Sequence, residues 1–339
     1  MDTRLSLLRD WLGSMPEGHG LQPDTLRPAS ADASFRRYFR VDAAARHSGS
    51  LIAMDAPPPM EDCAPFVHAA TILGRSGVSV PAVIAADLPR GFLLLEDFGA
   101  VTYLSQLDAV RAPALYGDAM RALVAMQRAS DAVSFPPYDR ALLMRELRLF
   151  PDWYLARHKG VTLDAADQAT LEAAFETLLA NVAAQPRVHV HRDYHSRNLM
   201  VLPGERNPGI LDFQDAVHGP VTYDLVSLLR DAYVRWDEEA VIDWAIRYWQ
   251  QALAARLPVS SDFGEFYRDF EWMGLQRHLK VLGIFARLYH RDGKDGYLAD
   301  MPRVMGYVHA VLARYNGFGA LARLLDRIEA RDGGTGYTF

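Results

Sequence analysis

Two short stretches hold the residues best suited to chemistry. Residues 189–198 read HVHRDYHSRN, and ILDFQDA follows at 210–216. Asp193 and Asn198 stand five residues apart, and Asp212 closes an apolar run. A carboxylate that orients an attacking hydroxyl, with an amide and a second carboxylate that hold magnesium, is the set that phosphoryl transfer from a nucleotide requires. In that chemistry Asp193 accepts the hydrogen bond of the substrate hydroxyl and aligns its oxygen lone pair on the γ-phosphorus. Asn198 offers a neutral oxygen and Asp212 an anionic one, the hard ligands magnesium prefers while it bridges phosphate oxygens. The competing reading is a polar loop whose Asp and Asn cap local turns. An isolated H-x-D would leave that reading ahead; the matched Asn and the second Asp in order weigh against it. Asp215 either adds to the metal environment or sits solvated behind it.

These side chains meet only if the chain folds back between them. Short strands are expected at 188–190, 199–202 and 210–213, with Pro203-Gly204 and Pro208-Gly209 marking a turn between the last two. If those strands pair as a hairpin, Asn198 is brought near Asp212. Residues 25–97 are rich in strand patterns. Residues 34–42 alternate, with Phe35, Arg37, Phe39 and Val41 on one face and Arg36, Tyr38 and Arg40 on the other. A loop, AAARHSG, leads to a second strand at 50–54, which Pro57 to Pro59 end by removing backbone donors. Helical spacing runs from Glu61 to Leu73, and strands follow at 82–85 and 92–95. After Gly99, residues 102–130, 140–158 and 164–183 carry helical periodicity, and from Thr222 the chain is almost wholly helical. The pattern predicts an α+β, bilobal protein: a small antiparallel-sheet lobe with one helix over 1–97 that binds nucleotide, and a large helical lobe over 98–339 for catalysis and substrate.

Composition sets the outer bounds. The 339 residues are 50% hydrophobic and 23% charged, the balance of a globular enzyme. A net charge of -6 with no long basic run argues against a nucleic-acid binder. Cys63 is the single cysteine, so no intramolecular disulfide can form, which suits a reducing cytoplasm. No run of about 18 apolar residues predicts a membrane span. The opening MDTRLSLLRDWLGS lacks a signal-peptide core and reads as an amphipathic helix with Leu5, Leu8 and Leu12 on one face. A small-molecule substrate is expected, with no nucleic-acid, membrane or obligate protein partner.

The pattern H-x-D-x-H-x-x-N followed by I-L-D-F resembles the aminoglycoside phosphotransferase and choline kinase branch of the kinase-like superfamily, over about Ser30 to Arg291. More narrowly, SFRRYFRV, LIAMDAPP, LLLEDFG, LDFQDAVHGPVTYDLVSLL and GLQRHLKVLGIFARL look like the bacterial sugar 1-kinases of cell-wall recycling. The resemblance implies a protein-kinase-like fold, ATP and Mg2+, and phosphorylation of the anomeric hydroxyl of the amino sugars N-acetylmuramate and N-acetylglucosamine. It also implies that GFLLLEDFG at 91–99 is the hinge, with Glu96 and Phe98 beside the adenine; on the residues alone an ordinary strand exit fits equally well. Asp224 matches a family aspartate that braces the catalytic loop together with His191, although it could equally be a first-turn acid favoured by the helix dipole. His195 stands where typical protein kinases carry lysine, and is expected on the substrate side.

One departure lies in the small lobe. Kinases of this superfamily usually carry a lysine on the third strand, yet Met54 occupies that place and no lysine precedes Lys159. Arg36, Arg37 and Arg40, with Ser30 and Ser34, are the candidates to hold the phosphates, since arginine binds phosphate bidentately. They also read as a solvated strand face. On the substrate side, residues 271–294 carry an apolar stripe at Leu275, Leu279, Leu282 and Ala286, with Arg277, Lys280, Arg287 and Arg291 on another side. A pocket for polycationic aminoglycosides needs carboxylates. A basic helix suits a neutral or anionic sugar instead, and the lactyl carboxylate of N-acetylmuramate matches arginine; a solvated face with snorkelling stems is the plainer reading. Glu146 and Trp153 are candidate sugar contacts, by hydroxyl binding and ring stacking, beside core positions such as Leu147. A kinase of another hydroxyl, such as an amino alcohol or an aminoglycoside, and a nucleotide-binding protein without catalysis remain the alternatives.

Overall fold

Alternation in the first third of the chain builds a sheet, and 3.6-residue periodicity builds helices after it. The computed structural model describes residues 2–30, 35–44 and 49–333, so Ser34 and most of the AAARHSG loop lie outside the described residues. In chain order the elements are α1 (Thr3–Gly13), β1 (Gln22–Ser30), β2 (Arg37–Asp42), β3 (Ser50–Asp55), α2 (Ala64–Arg75), β4 (Val83–Asp87), β5 (Phe92–Glu96), α3 (Ala112–Arg128), α4 (Arg140–Leu149), α5 (Ala165–Ala184), β6 (Arg187–Val190), β7 (Leu199–Met200), β8 (Gly209–Ile210), β9 (Val217–Pro220), α6 (Tyr223–Leu229), α7 (Glu238–Ala254), α8 (Phe263–Asp292), α9 (Met301–Arg314) and α10 (Gly319–Gly333). With a five-stranded antiparallel sheet and 54% helix, the class is α+β, as the pattern predicts. The chain divides into two compact units, Met1–Met126 with Arg197–Ala216, and Gln127–Ser196 with Val217–Phe339.

The first unit holds the sheet, in the order β1-β2-β3-β5-β4. Phe39, Val41, Leu51, Ala53, Phe92 and Leu94 form one buried face, and α1 covers it with Leu8, Trp11 and Leu12. The leucine stripe read from the sequence is therefore the packing face of α1. β1 escapes the sequence reading because QPDTLRPAS contains two prolines, which cannot donate to a ladder. It is tolerated as an edge strand with register breaks. β7 and β8 pair antiparallel, Leu199 with Ile210 and Met200 with Gly209, which is the expected hairpin.

In the second unit β6 pairs with β9 in register, Val190 opposite Val217. β9 escapes detection because VHGP is short and ends in Gly-Pro. The helical run expected over 140–158 changes character midway: α4 ends at Leu149, and Phe150–His158 winds as a π-helix. Pro151 has no N–H to bond the carbonyl one α-turn back, and the ladder widens there. The middle of the 30-residue α8 is buried nearly all round: Leu275, Leu279, Leu282 and Ala286 are fully covered, and so are Arg277 at 3% and Lys280 at 6% exposure. These two cations are therefore not a solvated face. Among the described residues no helix is long and apolar enough to cross a membrane.

Candidate functional site

The loop carrying Asp193 leaves β6 in the second unit and is clamped from several sides. Asp224, fully buried in the first turn of α6, accepts the backbone N–H groups of His191 at 2.6 Å and Arg192 at 3.0 Å. Burial pushes the Asp224 carboxyl up to about 7, against the opposing pull of those two N–H groups and of Arg277. His191 is also buried, and its Nδ1 accepts the Asp193 N–H at 3.2 Å. On the far side, the His195 N–H donates to the Asp193 carbonyl at 3.0 Å, and the Ser196 N–H donates to Asp231 at 2.9 Å. The His195 ring stands edge-on to Tyr233 with centroids 5.3 Å apart. Between the clamps Arg192 adopts φ 78°, a left-handed conformation rare for a side-chain-bearing residue. Asp224 and His191 thus both bond the backbone of residues 191–193.

The Asp193 carboxylate keeps 45% of its side-chain surface, and Arg277 Nη2 lies 3.7 Å from Oδ1. Packing by surrounding protein alone would raise its pKa. Lys280, His195, Arg277 and Arg192 outweigh that effect and hold the group below its usual range, so it is anionic at neutral pH. An anion is what acceptance of a hydroxyl proton needs.

Beneath it lies a cluster of charge. Glu146 of α4, with 7% side-chain exposure, meets Lys280 Nζ at 3.0 Å and is bonded by Arg192 and by the Tyr138 hydroxyl. Lys280 also donates to the Tyr223 hydroxyl at 3.0 Å. Burial would raise the Glu146 pKa, but Lys280, Arg192 and Tyr138 keep it below the ordinary carboxylate range. Glu146, Arg277 and Lys280 are brought together, as charged interior rather than as an open rim. Trp153 is half-buried on the π-helical segment. Arg192, Tyr138 and Tyr223 were not among the expected residues. The Arg inside H-R-D was a signal for the first; nothing in the sequence marks the two tyrosines.

In the first unit the hairpin continues past β8 through the Leu211 N–H donating to the Asn198 carbonyl at 2.9 Å. That contact sets the Asn198 amide 3.3 Å from Asp212 Oδ2, while Gln214 Nε2 donates to Oδ1 at 2.8 Å. Asp212 is itself left-handed, with φ 63°. Phe213 is fully buried and packs on Phe66 of α2, centroids 4.8 Å apart, which anchors the turn. One amide and one carboxylate side by side fit Mg2+, which takes few protein ligands and completes its shell with phosphate oxygens and water. Among the described residues no group of three or more His, Cys, Asp or Glu could hold a metal ion.

The small-lobe cations do not stand on a solvated face. Met54 is fully buried in register between Tyr38 and Leu93, so its place in the sheet is a core position. Asp55, next to it and also fully buried, is bonded by Arg37 Nε at 3.1 Å and Arg4 Nε at 3.1 Å, and Arg37 reaches Asp2 as well. Arg40 donates to Asp97 at 3.0 Å and to the Gly99 carbonyl at 2.9 Å. Arg36 lies 3.7 Å from Glu61. Glu96 meets Arg206 at 2.7 Å. Phe98 packs on Gly209, where a Cβ would come within 2.5 Å of its ring.

Residues 25–261 match the model of the phosphotransferase enzyme family. The chain is 50% identical over 331 residues to the N-acetylmuramate/N-acetylglucosamine kinase of Pseudomonas aeruginosa, covering 96% of each chain. Its fold is similar to that of a choline/ethanolamine kinase family protein from Mesorhizobium loti, with TM-score 0.61, 16% identity and coverage of 95% of this chain and 99% of that one. It is similar too to the ADP-bound aminoglycoside phosphotransferase APH(2'')-Ib, with TM-score 0.54, 14% identity and coverage of 91% and 97%. The motif order, the extent of the family match and the half-identical relative lead to one conclusion: this chain belongs to the phosphotransferase enzyme family.

Proposed function

We propose that the enzyme transfers the γ-phosphoryl group of ATP, with Mg2+, to the anomeric C1 hydroxyl of N-acetylmuramate and N-acetylglucosamine. The observation that carries this reading is the match, at 50% identity and across 96% of both chains, to a kinase named for those two sugars. The ADP-bound neighbour of the same fold supports an adenine nucleotide as donor.

In the proposed reaction the C1 oxygen attacks the γ-phosphorus in line, and its bond to the β–γ bridging oxygen breaks. ADP leaves with the electron pair, and the hydroxyl proton passes to Asp193, giving a sugar 1-phosphate. Asn198 and Asp212 would hold Mg2+, which supplies charge neutralisation at the phosphate oxygens. His191 and Asp224 keep the Asp193 loop in shape. His195 and Trp153 would face the sugar, over a floor of Glu146, Arg277 and Lys280. The nucleotide would lie in the lobe of residues 1–97, near Ser34, Arg36, Arg37, Glu96 and Phe98, with residues 98–339 carrying catalysis and acceptor binding. Arginine in place of the missing lysine suits phosphate, provided its present carboxylate partner yields to the ligand. Such chemistry belongs to cytoplasmic recycling of cell-wall sugars.

The test is ATP- and Mg2+-dependent turnover on both sugars with the product read by phosphorus NMR. An anomeric phosphate signal that is absent with Asp193→Asn is expected. ATP binding without transfer to either sugar would overturn the reading.

A further inference from the structure

Arg277 sits in the middle of α8 with 3% of its surface exposed. Its Nε and Nη1 are buried and, among the described residues, donate to no acceptor. A guanidinium withdrawn from water with two idle N–H groups is among the costlier arrangements a fold can contain. Its guanidinium carbon lies 5.9 Å from the Tyr223 ring centroid, and the carboxylate that Nη2 meets is Asp193, at 3.7 Å. The neighbouring charges are matched otherwise: Glu146 answers both Lys280 and Arg192. Replacing buried ion pairs by apolar groups is often neutral or stabilising, so stability alone explains this arginine poorly.

We infer that Arg277 is a positioning residue for phosphoryl transfer, a built-in counter-charge that aims and steadies the Asp193 carboxylate towards the acceptor hydroxyl. The inference rests on the reading of Asp193 given above. At 3.7 Å the contact is coulombic rather than a hydrogen bond, so Arg277 exerts its pull without itself occupying a hydrogen-bonding position on the carboxylate. The rigid helix beneath and the Tyr223 ring beside it keep the cation in place, and small errors of aim at a reacting group are costly to rate.

Steady-state kinetics of Arg277→Met and Arg277→Lys test this, with N-acetylglucosamine as acceptor because it carries no carboxylate that the arginine could bind. Arg277→Met is expected to lower kcat by roughly 10- to 100-fold while KM for the sugar moves less than about threefold, and Arg277→Lys to recover most of the loss. A raised KM with kcat intact, or a lysine variant as poor as the methionine one, overturns the inference. Should Arg277→Met fail to fold, the melting temperature of Asp193→Asn decides. Loss of the counter-charge is expected to lower it by about 2 °C or more; an unchanged or higher value overturns the pairing. Absence of turnover by the wild type would defeat the proposed function, while the Asp193→Asn melt still reports on the pair.

Discussion

Gly283 of α8 lies against the backbone of Leu149 at the end of α4: a Cβ there would fall 2.4 Å from the Leu149 carbonyl carbon and oxygen. Glu146 precedes Leu149 by one turn and Lys280 precedes Gly283 by one turn, so the same close approach that excludes a side chain lets the two charges meet at 3.0 Å. Backbone cannot swing aside as a side-chain tip can. Gly283→Ala is therefore expected to cost about 1–3 kcal/mol, seen as a lower melting temperature, and to reduce kcat as the charged floor loosens. A variant that melts with the wild type would show that the helices part at no cost.

The buried Glu146 gives acid lability a definite sign. Lys280, Arg192 and Tyr138 hold its folded pKa below the ordinary value, so its contribution to stability is complete above about pH 4.3 and is lost as pH falls through the depressed value. Glu146→Gln takes the nearest anion from the buried Lys280 and the part-buried Arg192 and is expected to lose about 3–5 kcal/mol at pH 7. Below about pH 4.3 the gap from the wild type should narrow progressively as pH falls through the depressed value, because the wild-type carboxylate is then protonated too. Urea unfolding of both proteins at pH 7 and across that range checks this, and a gap independent of pH would exclude the ion pair.

Much of the candidate site was legible because its signals are local. Asp193, Asn198 and Asp212 sit in a short window, and the two Pro-Gly pairs between β7 and β8 are enough to predict the hairpin that brings Asn198 to Asp212. The apolar stripe of α8 was legible for the same reason. What could not be read was the environment of its cations. Arg277 and Lys280 look like solvent residues by type, and only tertiary packing of α4 and α6 against α8 buries them beside Glu146 and Tyr223. The same holds for Arg37, whose partner Asp55 lies on the next strand and is chosen by sheet register, a long-range property.

Gly209 offers a way to probe the proposed hinge from a distance. A methyl group at this position would come within 2.5 Å of the Phe98 ring and 2.9 Å of Leu202. Gly209→Ala should displace Phe98 and, if that ring lines the nucleotide site, raise KM for ATP by roughly tenfold for each 1.4 kcal/mol lost, with KM for the sugar unchanged. Equal rises in both would place Phe98 outside the nucleotide site.

Asp212 combines a charge with an unusual backbone, and three substitutions separate them. At φ 63° an L-residue with an ordinary side chain is strained, whereas asparagine and glycine tolerate the conformation. Asp212→Asn should melt within about 2 °C of the wild type, yet lose at least about 100-fold in kcat, because a neutral amide cannot anchor the cation as the carboxylate does. Asp212→Gly should be equally inactive with its backbone at ease. Asp212→Ala should be inactive and also less stable, by about 1–2 kcal/mol, since its Cβ must bear the left-handed turn. Comparable kcat losses with unequal melting temperatures would assign catalysis to the charge and the stability difference to the backbone. An active asparagine variant would remove Asp212 from the proposed metal site.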